Sequence, residues 1–228
     1  MEYFIEAVKL LFSGTSGDLR EIIGVTLQMS LCSTSISVLI GMPLGVLLGS
    51  RSFPGKRYIL RIVQTLMGLP PVVAGLIVFL LLSRSGPFGE YKLLYSVSAM
   101  VIAQVVLLTP IVCGLTQSIA SVRAPHLLET TRGFGMPRYK EIGLILSESR
   151  IQLISVLMMA FGRAIAEVGA VQIVGGNVLH KTRVMTTAIM METNKGNFQF
   201  AIALGIVLLL ISLIVNTFAQ MLQEEKND

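Results

Sequence analysis

The feature that most limits what this chain can fold into is the length of its apolar runs. About 22–48, 58–82, 93–119, 151–174 and 198–218 are predominantly apolar, with short polar links between them. A helix needs about 20 such residues to cross the hydrocarbon of a bilayer. Inside that layer every backbone N–H and C=O must be satisfied by the chain itself, which leaves helices or a closed barrel. The expectation is an all-α integral membrane protein with about five transmembrane helices. The chain is 53% hydrophobic and 14% charged, against about 25% charged for a soluble domain.

The net charge of +5 does not indicate nucleic acid, because the basic residues lie between the apolar runs rather than in one stripe, and there is no Trp. Residues 1–20 mix apolar and charged side chains in a stretch too short to cross, which suggests an interfacial amphipathic segment. No charged-then-apolar pattern ending in small residues is present there, so no cleaved signal is expected. Residues 221–228 form a solvated tail. Cys32 and Cys113 both fall inside apolar runs and are expected to be buried, unbridged hydrophobes. No metal-ligand cluster and no catalytic nucleophile–base pair is evident, so neither a metal nor a catalytic residue is assigned.

Each run carries its own irregularity. In the first, Thr26, Ser30, Ser33, Thr34, Ser35 and Ser37 mark a side facing other helices rather than lipid. In the second, Gly68-Leu-Pro70-Pro71 removes ladder hydrogen bonds and forces a kink or break. Such a break is tolerated at membrane depth only where protein or a water-filled path satisfies the freed backbone. Thr109-Pro110 is expected to kink the third. The fourth holds Arg163 and Glu167 one helical turn apart among small residues. An uncompensated charge there costs at least about 2.5 kcal/mol, so the two are expected to pair with each other or across the bundle. That pair either locks the helix to its neighbours or draws an anion through. The locking role is favoured, because a neighbouring Glu weakens an anion site. Asn177, Lys181 and Arg183 follow in a loop, then an apolar segment at 184–191 too short to cross, expected as an embedded hairpin or short helix.

The polar stretch at 125–148 separates the third and fourth runs. Leu127–Arg132 is expected to form a short helix that ends at Gly133 and Gly135 and restarts near Pro137. Its spacing resembles the coupling loop of type I ABC importer permeases, patterned Glu-Ala-Ala, three residues, Gly, nine residues, Ile-x-Leu-Pro. Glu129, Gly135 and Ile145 match. Thr130 and Thr131 replace the alanines, and Ser147 and Glu148 stand where Leu-Pro would be. Arg163-Ala-Ile-Ala-Glu167-Val-Gly169-Ala170, with Gly176-Asn177 after it, is similar to permeases for molybdate, tungstate and sulfate. Leu69–Leu76, Ser83–Pro87 and Thr182–Ala188 look most like the tungstate branch.

The resemblance covers about residues 20–220. It implies a type I ABC importer permease that carries tungstate, with molybdate next and sulfate as an alternative. It also implies a second copy of the chain, cytoplasmic ATP-binding subunits and an extracytoplasmic oxyanion-binding protein. ATP and Mg would lie on the ATPase, since no Gly-x-x-x-x-Gly-Lys-Ser/Thr occurs here. Glu129, Thr130, Thr131, Arg132, Gly133, Phe134, Gly135, Met136 and Ile145 would couple to that partner. Pro70, Pro71, Arg163 and Glu167 would line the path or pack it, and Asn177, Lys181 and Arg183 would form an external gate or docking loop. Ten Lys and Arg, against seven, fall on the side of 50–61, 121–150 and the tail. That bias places this side in the cytoplasm and the N-terminus outside. A channel or secondary transporter is the rival class, but the halves show no internal repeat.

Overall fold

The computed structural model describes residues 17–133 and 137–224. Among them the regular structure is helical: α1 (Gly17–Ser50), α2 (Lys56–Met67), α3 (Pro71–Leu82), a 3-10 turn (Gly89–Tyr91), α4 (Val97–Gly133), α5 (Arg138–Glu148), α6 (Arg150–Ile165), α7 (Gly169–Gly175), α8 (Met185–Asn194) and α9 (Phe198–Glu224). Residues 1–16 of the expected interfacial segment, and 225–228 of the tail, lie outside the described residues. Residues 17–20 belong to the first turn of α1. Three helices are each long and apolar enough to cross a membrane alone, at 18–50, 97–125 and 198–218. The number rises to five if the bent pairs α2–α3 and α5–α6 each count as one.

The centre of the fold is α1 laid against α4. Gly41, Gly45 and Gly49 recur every fourth residue and bring the two backbones together. A β-carbon on Gly45 would lie 2.6 Å from Cys113 O, and one on Gly49 would lie 2.7 Å from Gln117 O. Lipid offers no hydrophobic drive between helices, so this close packing supplies the association. Thr26, Ser30, Ser33, Thr34 and Ser37 are buried as the sequence predicts, but Ser35 points outward. Cys113 is buried, whereas Cys32, on the opposite side of α1, is exposed. The outer face of α9 displays Leu209, Leu210 and Leu213, an apolar surface suited to lipid.

Of three expectations about the helices, two need correction and one is met. First, α4 does not stop near residue 119: it runs through Pro110 and Pro125 to Gly133. Leu127–Arg132 is therefore its last turns and not a separate helix. At 1.5 Å per residue, 37 residues reach about 55 Å, well beyond a hydrocarbon core of about 30 Å. Second, the break expected in 58–82 is present, as two 12-residue helices meeting at 101°. Each is about 18 Å long and too short to cross alone. Third, 151–174 is not one helix, because α6 ends at Ile165 and α7 begins at Gly169. The segment expected at 184–191 is the short helix α8, with Met185, Thr186, Thr187 and Ala188 buried.

Candidate functional site

The two breaks meet. Gly68 closes α2, Pro70 holds the extended backbone (φ −61°, ψ 130°) that precedes α3, and Pro71 takes its first position, where a missing N–H costs nothing. Ala74, Gly75, Val78 and Leu82 of α3 are buried. A β-carbon on Gly75 would lie 2.7 Å from Ala170 Cα, so the α3 and α7 backbones touch. One on Gly169 would lie 2.9 Å from Val72 Cγ2. Between them opens a cleft of about 320 Å³ lined by Pro71, Val72, Arg163, Ala166, Glu167, Val168 and Gly169. Pro71, Arg163 and Glu167, three of the four residues expected to line the path or pack it, thus converge on one space, with Pro70 one residue from it.

Of the two pairings expected for Arg163 and Glu167, the one with each other is absent among the described residues. The helix breaks after Ile165, so the one-turn spacing that would bring the two side chains together does not exist. Glu167 instead turns to α7: Ala170 N–H donates to its Oε1 at 3.2 Å, and Thr186 Oγ1 donates to its carbonyl at 2.9 Å. Glu167 is only 7% exposed, whereas Arg163 stands open in the cleft at the last turn of α6, where a cation complements the helix dipole.

Gln104 holds the break open, and the sequence reading passed over it. Fully buried on α4, it donates from Nε2 to Ala164 O at 2.7 Å and accepts from Ser33 Oγ at 2.6 Å. A carbonyl freed by the break is thereby satisfied across the bundle. The available signal was an amide, one of two with Gln117, inside the apolar run at 93–119. A larger groove of about 600 Å³ between α1, α6 and α9 is lined by Leu31, Val38, Leu157, Phe161 and Ile214. Thr34 and Ser35 add hydroxyls to this lining, but no charged side chain does.

At the end of the bundle where α4 runs past the apolar core, α5 packs under α1. Pro137 precedes its first turn. Ile145, expected to reach toward a partner, is only 1% exposed and sits against Val46, Ala120 and Ala124, with Ile142 and Leu146 beside it. The three- and four-residue spacing puts these apolar side chains on the inner face, so Ile145 anchors α5 to the chain. Arg51 and Glu141 add an ion pair at 3.6 Å, and Arg123 donates to Glu148 O at 3.4 Å. The outer face of α5 shows Lys140, Gly143 and Ser147. Glu129, Thr130, Thr131, Arg132 and Gly133 lie in the last turns of α4. Phe134, Gly135 and Met136 lie outside the described residues.

At the other end of the bundle, the loop after α7 turns on three positive-φ residues, Gly176, Asn177 and His180. Asn177 Oδ1 accepts from Thr187 Oγ1 at 3.0 Å, which fastens the loop to α8. Thr26 Oγ1 accepts from Met185 N–H at 2.9 Å and so caps α8 from α1. Lys181 is exposed and Arg183 half-buried. His180 Nδ1 meets Glu21 Oε2 at 2.6 Å, an exposed contact. The Glu21 hydrogen bond and charge hold the imidazole pKa above its ordinary value.

Comparison with known proteins agrees with this architecture. Residues 41–226 match the family described as "Binding-protein-dependent transport system inner membrane component". The chain is 40% identical to the tungstate uptake system permease protein TupB of Peptoclostridium acidaminophilum, over 99% of this chain and 100% of that one. It is also 40% identical to the TupB of Campylobacter jejuni, over 93% and 89%. The fold superposes on a chain of a bacterial ABC transporter described as importing the acidic polysaccharide alginate, with a TM-score of 0.75 and 19% identity. That match covers 97% of this chain and 84% of the other.

Proposed function

The chain belongs to the family of binding-protein-dependent transport system inner membrane components, and from that premise we propose that it carries tungstate, with molybdate next, into the cell. The observation that carries the substrate is the 40% identity to a tungstate uptake permease over essentially the whole of both chains. In this reading two copies assemble in the cytoplasmic membrane with cytoplasmic ATPase subunits, where ATP and Mg bind. An extracytoplasmic binding protein delivers the anion. The N-terminus lies outside, and the end of α4 with α5 lies in the cytoplasm.

The geometry supports a mechanism. ATP closes the ATPase dimer and draws the two α4–α5 corners together. Because Ile145 and the Arg51–Glu141 pair seat α5 on α1 and α4, the corner moves with the long helices rather than flexing alone. The α2–α3 elbow is the place where such a motion alters the cleft, since α3 is bound to α7 and α2 is not buried. The direction of the shift is set by the difference in ATP affinity between the two states. His180, with Lys181 and Arg183, faces the binding protein.

Uptake of labelled tungstate in cells with and without this chain tests the substrate, with molybdate and sulfate as competitors. Loss of an uptake that sulfate fails to compete is the expected result. Unchanged uptake of all three anions refutes the substrate. For the coupling corner, Gly135→Glu is expected to abolish co-purification with the ATPase while insertion in the membrane persists. Normal co-purification would refute the assigned interface.

A further inference from the structure

Arg163 is the cation of the cleft, and among the described residues it makes no hydrogen bond or ion pair. Its one acidic neighbour there, Glu167, is already committed to Ala170 N–H, and its backbone is fixed by Thr186. An arginine placed between broken helices of a membrane protein is retained only where something compensates its charge. We infer that Arg163 is a transient binding point for the transported tetrahedral oxyanion, held in the cleft between α6, α7 and the start of α3. This rests on the reading of the chain as an oxyanion permease.

The rest of the cleft fits an anion that must enter and leave. A guanidinium offers up to five donors in a planar fork, suited to two oxygens of one oxyanion. The α3 side contributes its N-terminal turn. Pro71 has no N–H, and the first ladder bond there is from Ala74 to Pro70 O at 3.1 Å, so Val72 and Val73 lie ahead of the ladder. Gly169 keeps this turn uncovered, since a β-carbon would lie 3.4 Å from Val72 N. Glu167, which also lines the cleft, opposes tight retention of an anion. A single cation with a carboxylate nearby gives the loose hold that permeation requires.

The test uses the complete importer, with its ATPase and loaded binding protein, in liposomes. Wild-type tungstate uptake is measured first: if it is absent, the oxyanion reading fails and Arg163 is not at issue. Where uptake is present, Arg163→Gln is expected to lower the saturating transport rate about tenfold, the ratio that ~1.4 kcal/mol represents. Assembly and ATPase stimulation by the binding protein are expected to persist, and Arg163→Lys should recover part of the rate. A purely structural arginine would instead lower assembly in step with transport. In a background with Cys32 and Cys113 replaced by Ala, Arg163→Cys should react with a water-soluble thiol reagent, and tungstate should slow that reaction. A cationic reagent should restore transport while an anionic one does not. Wild-type transport in Arg163→Gln would overturn the inference, as would labelling of Arg163→Cys at a rate indifferent to tungstate, or equal effects of the two reagents.

Discussion

Replacing Gln104 with Leu is expected to destabilise the bundle by about 2 kcal/mol, and nearly all of that follows from two distances. The swap keeps side-chain volume roughly constant, so no large cavity term enters. It removes the donor to Ala164 O at 2.7 Å and the acceptor of Ser33 Oγ at 2.6 Å. Ser33 has one hydroxyl proton and a second acceptor at hand, Ser30 O at 3.1 Å, so its loss is small. Interhelical pairs of this kind in membranes average about 0.6 kcal/mol and reach about 1.7. Ala164 O is worse placed, because its remaining donor is Glu167 N–H at 3.4 Å, near the limit of a useful bond. A buried orphan carbonyl costs about 1–3 kcal/mol, and the residual contact puts this one in the lower half of that range.

The carbonyl therefore outweighs the hydroxyl. Ser33→Ala leaves the buried Gln104 Oε1 without its donor and should cost about 1 kcal/mol, the low end for an unsatisfied buried group. Unfolding in mixed dodecylmaltoside–SDS micelles, followed by far-ultraviolet circular dichroism, measures both variants and the double mutant. Since 1.4 kcal/mol is a tenfold change in the equilibrium, the two single variants are easily resolved. A Gln104→Leu protein within about 0.5 kcal/mol of wild type, the range of an uneventful surface change, would refute this account. So would a Ser33→Ala protein that lost more stability than Gln104→Leu.

Gly75→Ala is expected to cost about 1–3 kcal/mol, because the new methyl would meet Ala170 Cα at 2.7 Å and Ala170 O at 3.1 Å, backbone atoms that cannot rotate away. The same change at Gly143 meets nothing within 4 Å and should be neutral or stabilising by up to about 1 kcal/mol; the same micelle titration separates the two. The His180–Glu21 contact is expected to depend on pH. The folded imidazole pKa is raised, so the stabilisation is complete below the ordinary histidine range and lost as pH rises through the raised value. An NMR titration of His180 should move back toward the ordinary value in Glu21→Gln, and an unchanged curve would exclude Glu21 as the cause.

Most of the fold was legible in the sequence because it depends on local quantities. The lengths of the apolar runs set the helical membrane class, since lipid leaves the backbone few other options. Gly68-Leu-Pro70-Pro71 announced the α2–α3 break, since two prolines cannot continue a ladder. The Thr and Ser row marked the inner side of α1. The Gly41, Gly45, Gly49 ridge was equally available as a small-xxx-small pattern and went unread.

What the sequence could not decide is which groups meet across helices. From residues alone, Arg163 and Glu167 stand one turn apart and invite pairing. Only the packed structure shows a break at Ala166, because the carbonyl it frees is satisfied by Gln104, about sixty residues away. Likewise Ile145 fits a partner-facing motif by spacing, yet its burial depends on where α1 and α4 place their small residues. The chain by itself determined that it enters a membrane as bent helices, because that follows from solvation of each segment. The tertiary structure alone decided that Glu167 is spent on α7 and Arg163 left open to the cleft, because partner choice is settled by non-local geometry.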